Sequence, residues 1–299
     1  MDNTSQENRA RFAPYQIDLF CEDYNPHQES LFDVELDDII STFALEKKEL
    51  LGWCNVGALK TRFSISQSNL REDVVAELTN SINRQRQLIC TLSVGLFQHP
   101  YASLPQTTAF INENDLKLYT AEANSSLFKH LKENIRPDLF FYSEFFGPEH
   151  HSGEIINGIQ HQDLQNTSFE DAFFDIVLTA EVFEHIPDAL RAEREVIRIL
   201  KKGGIYCFTV PFAPLSPEDI VLADLDEQGQ IRYYQAPQYH GDPVRPEQGI
   251  LVYRIFSYNG MKSRFEKLDC KFSTYLFWSK TLGILGKNCF THLVRRGFN

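Results

Sequence analysis

The chain has 299 residues, 42% of them hydrophobic and 23% charged, which is enough for one large or two small packed domains and excludes wholesale disorder. Lys and Arg total 29 against 41 Asp and Glu, a net charge of −12, so the counterion release that drives nucleic-acid binding has no evident source, and an anionic membrane is an equally poor partner. No stretch approaches the ~18–20 apolar residues of a bilayer span, and the N-terminal residues lack the apolar segment of a secretory leader, so a cytoplasmic location is expected.

Residues 1 to 30 are polar and mixed. From 29 to 51, Leu31, Phe32, Val34, Leu36, Ile39, Ile40, Phe43, Leu45 and Leu50 recur at helical spacing and predict one or two amphipathic helices. A hairpin or irregular segment is expected over 52–69, and a second helix over 71–96 with Val74, Val75, Leu78, Ile82, Leu88 and Leu92 inward. The six cysteines are widely separated, with no CxxC pair, and are read as reduced thiols.

Beyond residue 108 the pattern changes to strand-like runs at 116–123, 139–147, 154–164, 173–183 and 204–212. Continuous apolar stretches such as Ile176-Val177-Leu178 suit strands of a parallel sheet covered on both faces. After the fourth run, Ala189, Ala192, Val196, Ile199 and Leu200 form the inward stripe of a helix. Pro187 is placed in its first turn, Lys201 and Lys202 in its last, and Gly203 at a left-handed cap. The stretch 148–153 is too short for a helix between the second and third runs.

Ligands of an open parallel sheet bind beyond the carboxyl ends of its strands. The runs end in acids: Glu122 after the first, Glu144 in the second, Asp163 at the end of the third and Glu181 at the end of the fourth. Carboxylates there can accept hydrogen bonds from ribose hydroxyls or an exocyclic amine. No GxGxxG follows any strand, which argues against a nicotinamide-dependent oxidoreductase.

The segment from His161 to Phe212, HQDL followed by FEDAFFDIVLTAEVFEHIPDALRAEREVIRILKKGGIYCFTVPF, resembles the class I S-adenosylmethionine-dependent methyltransferases over about fifty residues, and more loosely over 108–299. The resemblance implies an α/β fold, a Rossmann-like doubly wound, mostly parallel sheet over 108–299, with a small, mainly helical module at 1–107 and a substrate lid inserted around 213–249. It implies S-adenosylmethionine as cofactor and methyl transfer to a small-molecule or sugar-containing acceptor by a monomer or homodimer. The cofactor-binding residues it implies are Glu122, Ala123, Asn124, Glu144, Phe145, Asp163, Leu164 and Glu181. Glu144 would hold the ribose, Asp163 the adenine amine, and Leu164 would offer a backbone amide to the ring.

His185 and His240 are the implied catalytic residues, since an imidazole can serve as proton acceptor near neutrality. Tyr239 and Asp242 are the implied acceptor-side residues on the lid. The glycine-rich loop of the family corresponds here to TAEANSSLF (120–128), which has no glycine and offers Ala123, Asn124, Ser125 and Ser126 instead. The segment 53–88 resembles the zinc-ribbon module of some relatives, yet it keeps only Cys54, so no metal is expected there. Arg84 and Arg86 either face the site or, as expected, pair with surface acids. An alternative reading remains open, in which the fold is a binding scaffold that has lost the cofactor.

Overall fold

A computed structural model describes residues 17, 19–21, 42, 45–66, 69–241, 247, 249–286 and 288–297. Most of the helical stretch expected at 29–51 lies outside these residues, and so does Asp242. The chain forms two compact units. One comprises Met1–Asp115, Ser125–Leu139 and Ser273–Leu293, and the other Leu116–Asn124, Phe140–Phe272 and Val294–Asn299. The boundary read from the sequence at 107/108 falls within the first of these segments.

In the first unit, the hairpin expected at 52–69 is an antiparallel pair, Glu49–Cys54 with Leu59–Ser64, and a third short strand, Val75–Ala76, adds to Leu59–Ser64. The helix expected from residue 71 starts only at Asn83 and ends at Phe97. Val74 (φ 57°) and Asn80 (φ 53°) are in the left-handed region, which a right-handed helix cannot contain, and pairing of Val75 and Ala76 with the hairpin competes for the same backbone groups. Leu78, assigned inward by its spacing, is exposed on the turn between them. From Asn83 onward the helix buries Leu88, Ile89, Cys90 and Leu92.

The two arginines of this helix part ways. Arg84 pairs with Glu72 through Nε and Nη2, both at 2.9 Å, as expected of a surface ion pair. Arg86, expected on the surface, is instead fully buried, and among the described residues it meets no carboxylate. Its guanidinium donates to the carbonyls of Leu282 (2.7 Å), Ser81 (2.6 Å), Val74 (2.6 Å) and Gly283 (3.0 Å), with the Phe63 ring 4.5 Å away. Near it, the Cys54 thiol lies 3.2 Å from both the Thr79 and Ser81 hydroxyls.

In the second unit the strands lie side by side in the order Leu200–Thr209, Phe174–Ala180, Leu118–Thr120, Phe140–Glu144, Ile159–His161 and Ile155–Ile156. All neighbours are parallel except the last pair, so the unit is a mixed α/β fold on a mostly parallel sheet. Phe174, Ile176, Val177 and Leu178 are buried irrespective of which face they point to, as their continuous apolar run predicts. The run expected at 154–164 is split into two short strands by a turn in which Asn157 (φ 51°) and Gly158 (φ 79°) are left-handed.

The helix after the fourth strand is Ala189–Ile199, and its buried side includes Ala189, Ala192, Val196 and Ile199. Its cap is Asp188, whose carboxylate accepts from Arg191 N at 3.0 Å, so Pro187 precedes the cap and is not in the first turn. Lys201 and Lys202 likewise lie in the next strand and not in the helix. That strand bulges between Leu200 and Ile205. Gly203 is left-handed there (φ 76°), and a Cβ on Gly204 would come within 2.9 Å of the Lys201 and Asp175 carbonyls. A second helix, Tyr258–Lys267, is tied to the first by Arg264, which donates to Glu193 at 2.8 and 3.0 Å and to Asp219 at 2.8 Å.

Among the described residues from 213 onward there are short antiparallel ladders: Ile220–Val221 with Arg254–Ser257, Ala223–Leu225 with Ile231–Tyr233, and Tyr239–His240 with Ile250–Leu251. Among the described residues no helix is long and apolar enough to cross a membrane.

Candidate functional site

Four strand ends of the second unit open onto one cleft of about 820 Å³, part of it open to solvent. Ala121, Ser143, Glu144, Phe145, Asp163, Leu164, Glu181 and His185 line it, with Gln162, Gln165, Pro187, Gly241 and Ile250 among the other walls. The parallel register places Glu144 opposite His161, at the point where these strands stop and the chain turns away.

The glycine-free loop after the first strand is accommodated simply. No residue from Ala121 to Ser126 has a positive φ, so its backbone does not need glycine's conformational freedom. Ala121 presents only a methyl group to the cleft, and Ala123 N donates to Glu144 Oε2 at 3.1 Å, which fixes the carboxylate against the loop. Glu122 is half-buried and Asn124 exposed, and neither lines the cleft.

Asp163 folds into an Asx-turn. Its Oδ1 accepts from Gln165 N at 2.8 Å and from Gln165 Nε2 at 3.1 Å, while Leu164 beside it is buried. Phe145, exposed on one side, stands 5.3 Å ring to ring from His161. Glu181 is left-handed (φ 56°) with its N–H held by the Thr209 carbonyl at 3.0 Å. Holding a non-glycine residue there costs on the order of 1 kcal/mol, strain of the kind that gathers at functional sites. Glu181→Gly is therefore expected to leave stability unchanged or raise it by up to about 1 kcal/mol in thermal unfolding. A clear fall in Tm would mean that the side chain's contacts outweigh the strain.

Beyond Glu181 the chain makes a 3-10 turn, Phe183–His185, so His185 belongs to this turn and not to the following helix. Its Nδ1 is 2.8 Å from the Leu251 carbonyl and its Nε2 is 3.5 Å from Glu184 Oε1. His240 Nδ1 lies 3.5 Å from the same oxygen, and the two imidazole rings meet edge to face at 5.0 Å. The ladder Tyr239–His240 with Ile250–Leu251 thus positions both histidines, and Tyr253 N anchors the Glu184 carbonyl at 2.7 Å. Tyr239 is exposed and does not line the cleft.

Glu184 is the residue the sequence reading passed over. It is fully buried, and neither carboxylate oxygen has a hydrogen-bond partner among the described residues. Burial, and after it the charge of Glu181, pushes its carboxyl up to about 7. Its position directly before His185 was a visible signal, but nothing in the spacing indicated that its side chain turns inward.

Residues 142–208 match the methyltransferase domain family. Among curated proteins, the chain is 36% identical over 64 residues to a sarcosine/dimethylglycine N-methyltransferase of Halorhodospira halochloris, a match spanning 21% of this chain and 23% of that protein. Among solved structures it is similar to an S-adenosylmethionine-dependent methyltransferase from Mesorhizobium loti, with 12% identity over 60% of this chain and 91% of the other, at a TM-score of 0.37. A second likeness, to an S-adenosylmethionine-dependent methyltransferase from Methanosarcina mazei, has 12% identity over 62% of this chain and 93% of the other, at a TM-score of 0.34. At such TM-scores neither likeness bears on chemistry. Glu144, Phe145, Asp163, Leu164, Glu181 and His185 all fall within residues 142–208, the segment that matches the methyltransferase domain family.

Proposed function

We propose that the chain is an enzyme that uses S-adenosylmethionine to methylate a small-molecule acceptor, sugar-containing compounds included. The observation that carries this reading is the convergence of Glu144, Asp163 and Glu181, from the ends of three parallel strands, on one cleft. The residues present fit such a cofactor. Two carboxylates offer acceptors for a ribose diol and an exocyclic amine, Leu164 and Phe145 offer apolar walls for a ring, and of the loop after the first strand only the Ala121 methyl lines the cleft.

In this reading Glu144 holds the ribose, Asp163 and Leu164 the adenine, and the 122–124 loop with Glu181 the amino-acid end. When bound, the cofactor supplies an electrophilic methyl group on a sulfonium sulfur. The chain's own contribution is to orient the reactants and exclude water, which accounts for much of the acceleration of such a displacement. His185 and His240 are the proposed catalytic residues, at the place where the acceptor sheds its proton, and Tyr239 and Asp242 are assigned to the acceptor side. A small acceptor is in keeping with the name of the curated relative and with the net charge of −12, which disfavours polyanions.

The test is calorimetric titration of the full chain with S-adenosylmethionine and, separately, S-adenosylhomocysteine. Micromolar binding, about −8 kcal/mol at 1 μM, is expected for both. No heat and no thermal shift at millimolar ligand would overturn the reading in favour of a scaffold of the same fold.

A further inference from the structure

We propose that Glu184, His185 and His240 bind a divalent cation of the zinc class, and that an oxygen of the acceptor completes its coordination. The inference rests on the methyl-transfer reading and specifies how the acceptor side works. The three side chains offer one carboxylate oxygen and two imidazole nitrogens, all within 4.8 Å of one another. Two histidines with one carboxylate are a donor set suited to Zn²⁺, Fe²⁺ or Co²⁺, and three protein ligands leave a position open for substrate.

The distances favour a cation over a proton between these groups. The Leu251 carbonyl can only accept, so a neutral His185 carries its proton on Nδ1 and turns the Nε2 lone pair towards Glu184. Two acceptors then face each other at 3.5 Å. A shared proton would draw them to roughly 2.7–2.9 Å. Two donors each about 2.1 Å from one zinc ion stand about 3.4 Å apart at the tetrahedral angle. Both His185 Nε2 and His240 Nδ1 lie 3.5 Å from Glu184 Oε1, close to that separation.

A second observation points the same way. Glu184 is fully buried with both oxygens lacking a hydrogen-bond partner among the described residues, and the charge of Glu181 stands nearby. Buried charge of one sign is stabilised by an opposite charge placed against it. The Leu251 carbonyl on the far ring nitrogen of His185 is the support that metal-bound imidazoles receive, fixing tautomer and ring plane. Sequence spacing conceals the set, because its ligands come from a 3-10 turn and from a strand more than fifty residues later.

With the ion in place the histidines serve as ligands. A coordinated acceptor hydroxyl is acidified and loses its proton to solvent, its oxygen forms the new bond to the methyl carbon, and the carbon–sulfur bond breaks with its electron pair going to sulfur. Atoms and charge balance without an oxidant or reductant.

Cobalt(II) is the probe. Added to the chelator-treated full chain, it is expected to bind at one equivalent, to show the visible d–d bands of a four- or five-coordinate ion, and to be displaced by Zn²⁺. Glu184→Gln, which keeps shape and volume, and His240→Ala, at a half-exposed position, are each expected to weaken binding at least about tenfold. No cobalt or zinc bound at tens of micromolar would overturn the proposal, and so would binding whose affinity and spectrum are the same in both variants. Titration of the same samples with S-adenosylhomocysteine separates the two readings. Cofactor binding without metal binding removes the ion alone, whereas metal binding without cofactor binding removes the methyl-transfer reading.

Discussion

Arg86→Met is expected to destabilise the first unit by about 3–5 kcal/mol, among the largest effects of any single substitution in the chain. The side chain is fully buried, and its guanidinium satisfies four backbone carbonyls, those of Val74, Ser81, Leu282 and Gly283. Each carbonyl left dry and unpaired costs about 1–3 kcal/mol. The gain from no longer burying a cation offsets only part of this sum, because the four acceptors do not relax together. Burial pulls the Arg86 pKa down to about 10, so the group is charged at neutral pH and its hydrogen bonds are charge-assisted. Arg86→Lys is not expected to rescue, since one ammonium cannot reproduce the planar fork that reaches four carbonyls. Arg84→Ala, two residues away on the same helix, removes a partly exposed pair with Glu72 and is expected to cost less than about 1 kcal/mol. Both tryptophans, Trp53 and Trp278, lie in the first unit, so urea unfolding followed by their fluorescence reports on it. Equal midpoints for the two variants would contradict the assignment.

The contrast between Arg84 and Arg86 shows where sequence reading stops. Both are charges on one helix, and helical spacing assigns a side chain to a face without revealing that the Leu282 and Gly283 carbonyls, nearly two hundred residues later, converge on Arg86. The helix starts later than its apolar period for a local reason: Val74 adopts a left-handed conformation that a β-branched residue seldom takes, and Asn80 another, so the apolar period runs on through a turn and a short strand. The parallel sheet was legible because continuous apolar runs such as Ile176-Val177-Leu178 have few other uses. Glu144, Asp163 and Glu181 were legible as cleft residues because ligands of such sheets gather at strand ends, whereas Leu164 and His185 were implied only by the family resemblance. Glu184 was not, since its importance depends on burial and on His240, whose approach is set by an antiparallel ladder between residues 239–240 and 250–251.

Glu144→Ala is expected to weaken binding of S-adenosylhomocysteine about 100-fold, equivalent to about 2.7 kcal/mol, while His240→Ala leaves it within about threefold. The carboxylate's acceptor capacity sets the size of the loss. Ionised, it has about four acceptor directions. The backbone N–H of Ala123 takes one at 3.1 Å, which holds the group at the rim of the cleft. Removal of the side chain deletes the charge-assisted bonds to the ligand and also strands the Ala123 N–H, loosening the loop that would meet the amino-acid end. Glu144→Gln keeps an oxygen for Ala123 but gives up the charge, and about a tenfold loss is expected. Asp163→Ala should also lose about tenfold, because part of its carboxylate is already committed to Gln165. His240 stands against Glu184 and does not itself line the cleft, so its truncation should alter metal binding and turnover more than cofactor affinity. An unchanged affinity in both Glu144→Ala and Asp163→Ala would mean that the ligand does not sit at these strand ends. A large loss in His240→Ala alone would move the cofactor towards the histidine cluster and exchange the two halves of the proposed site.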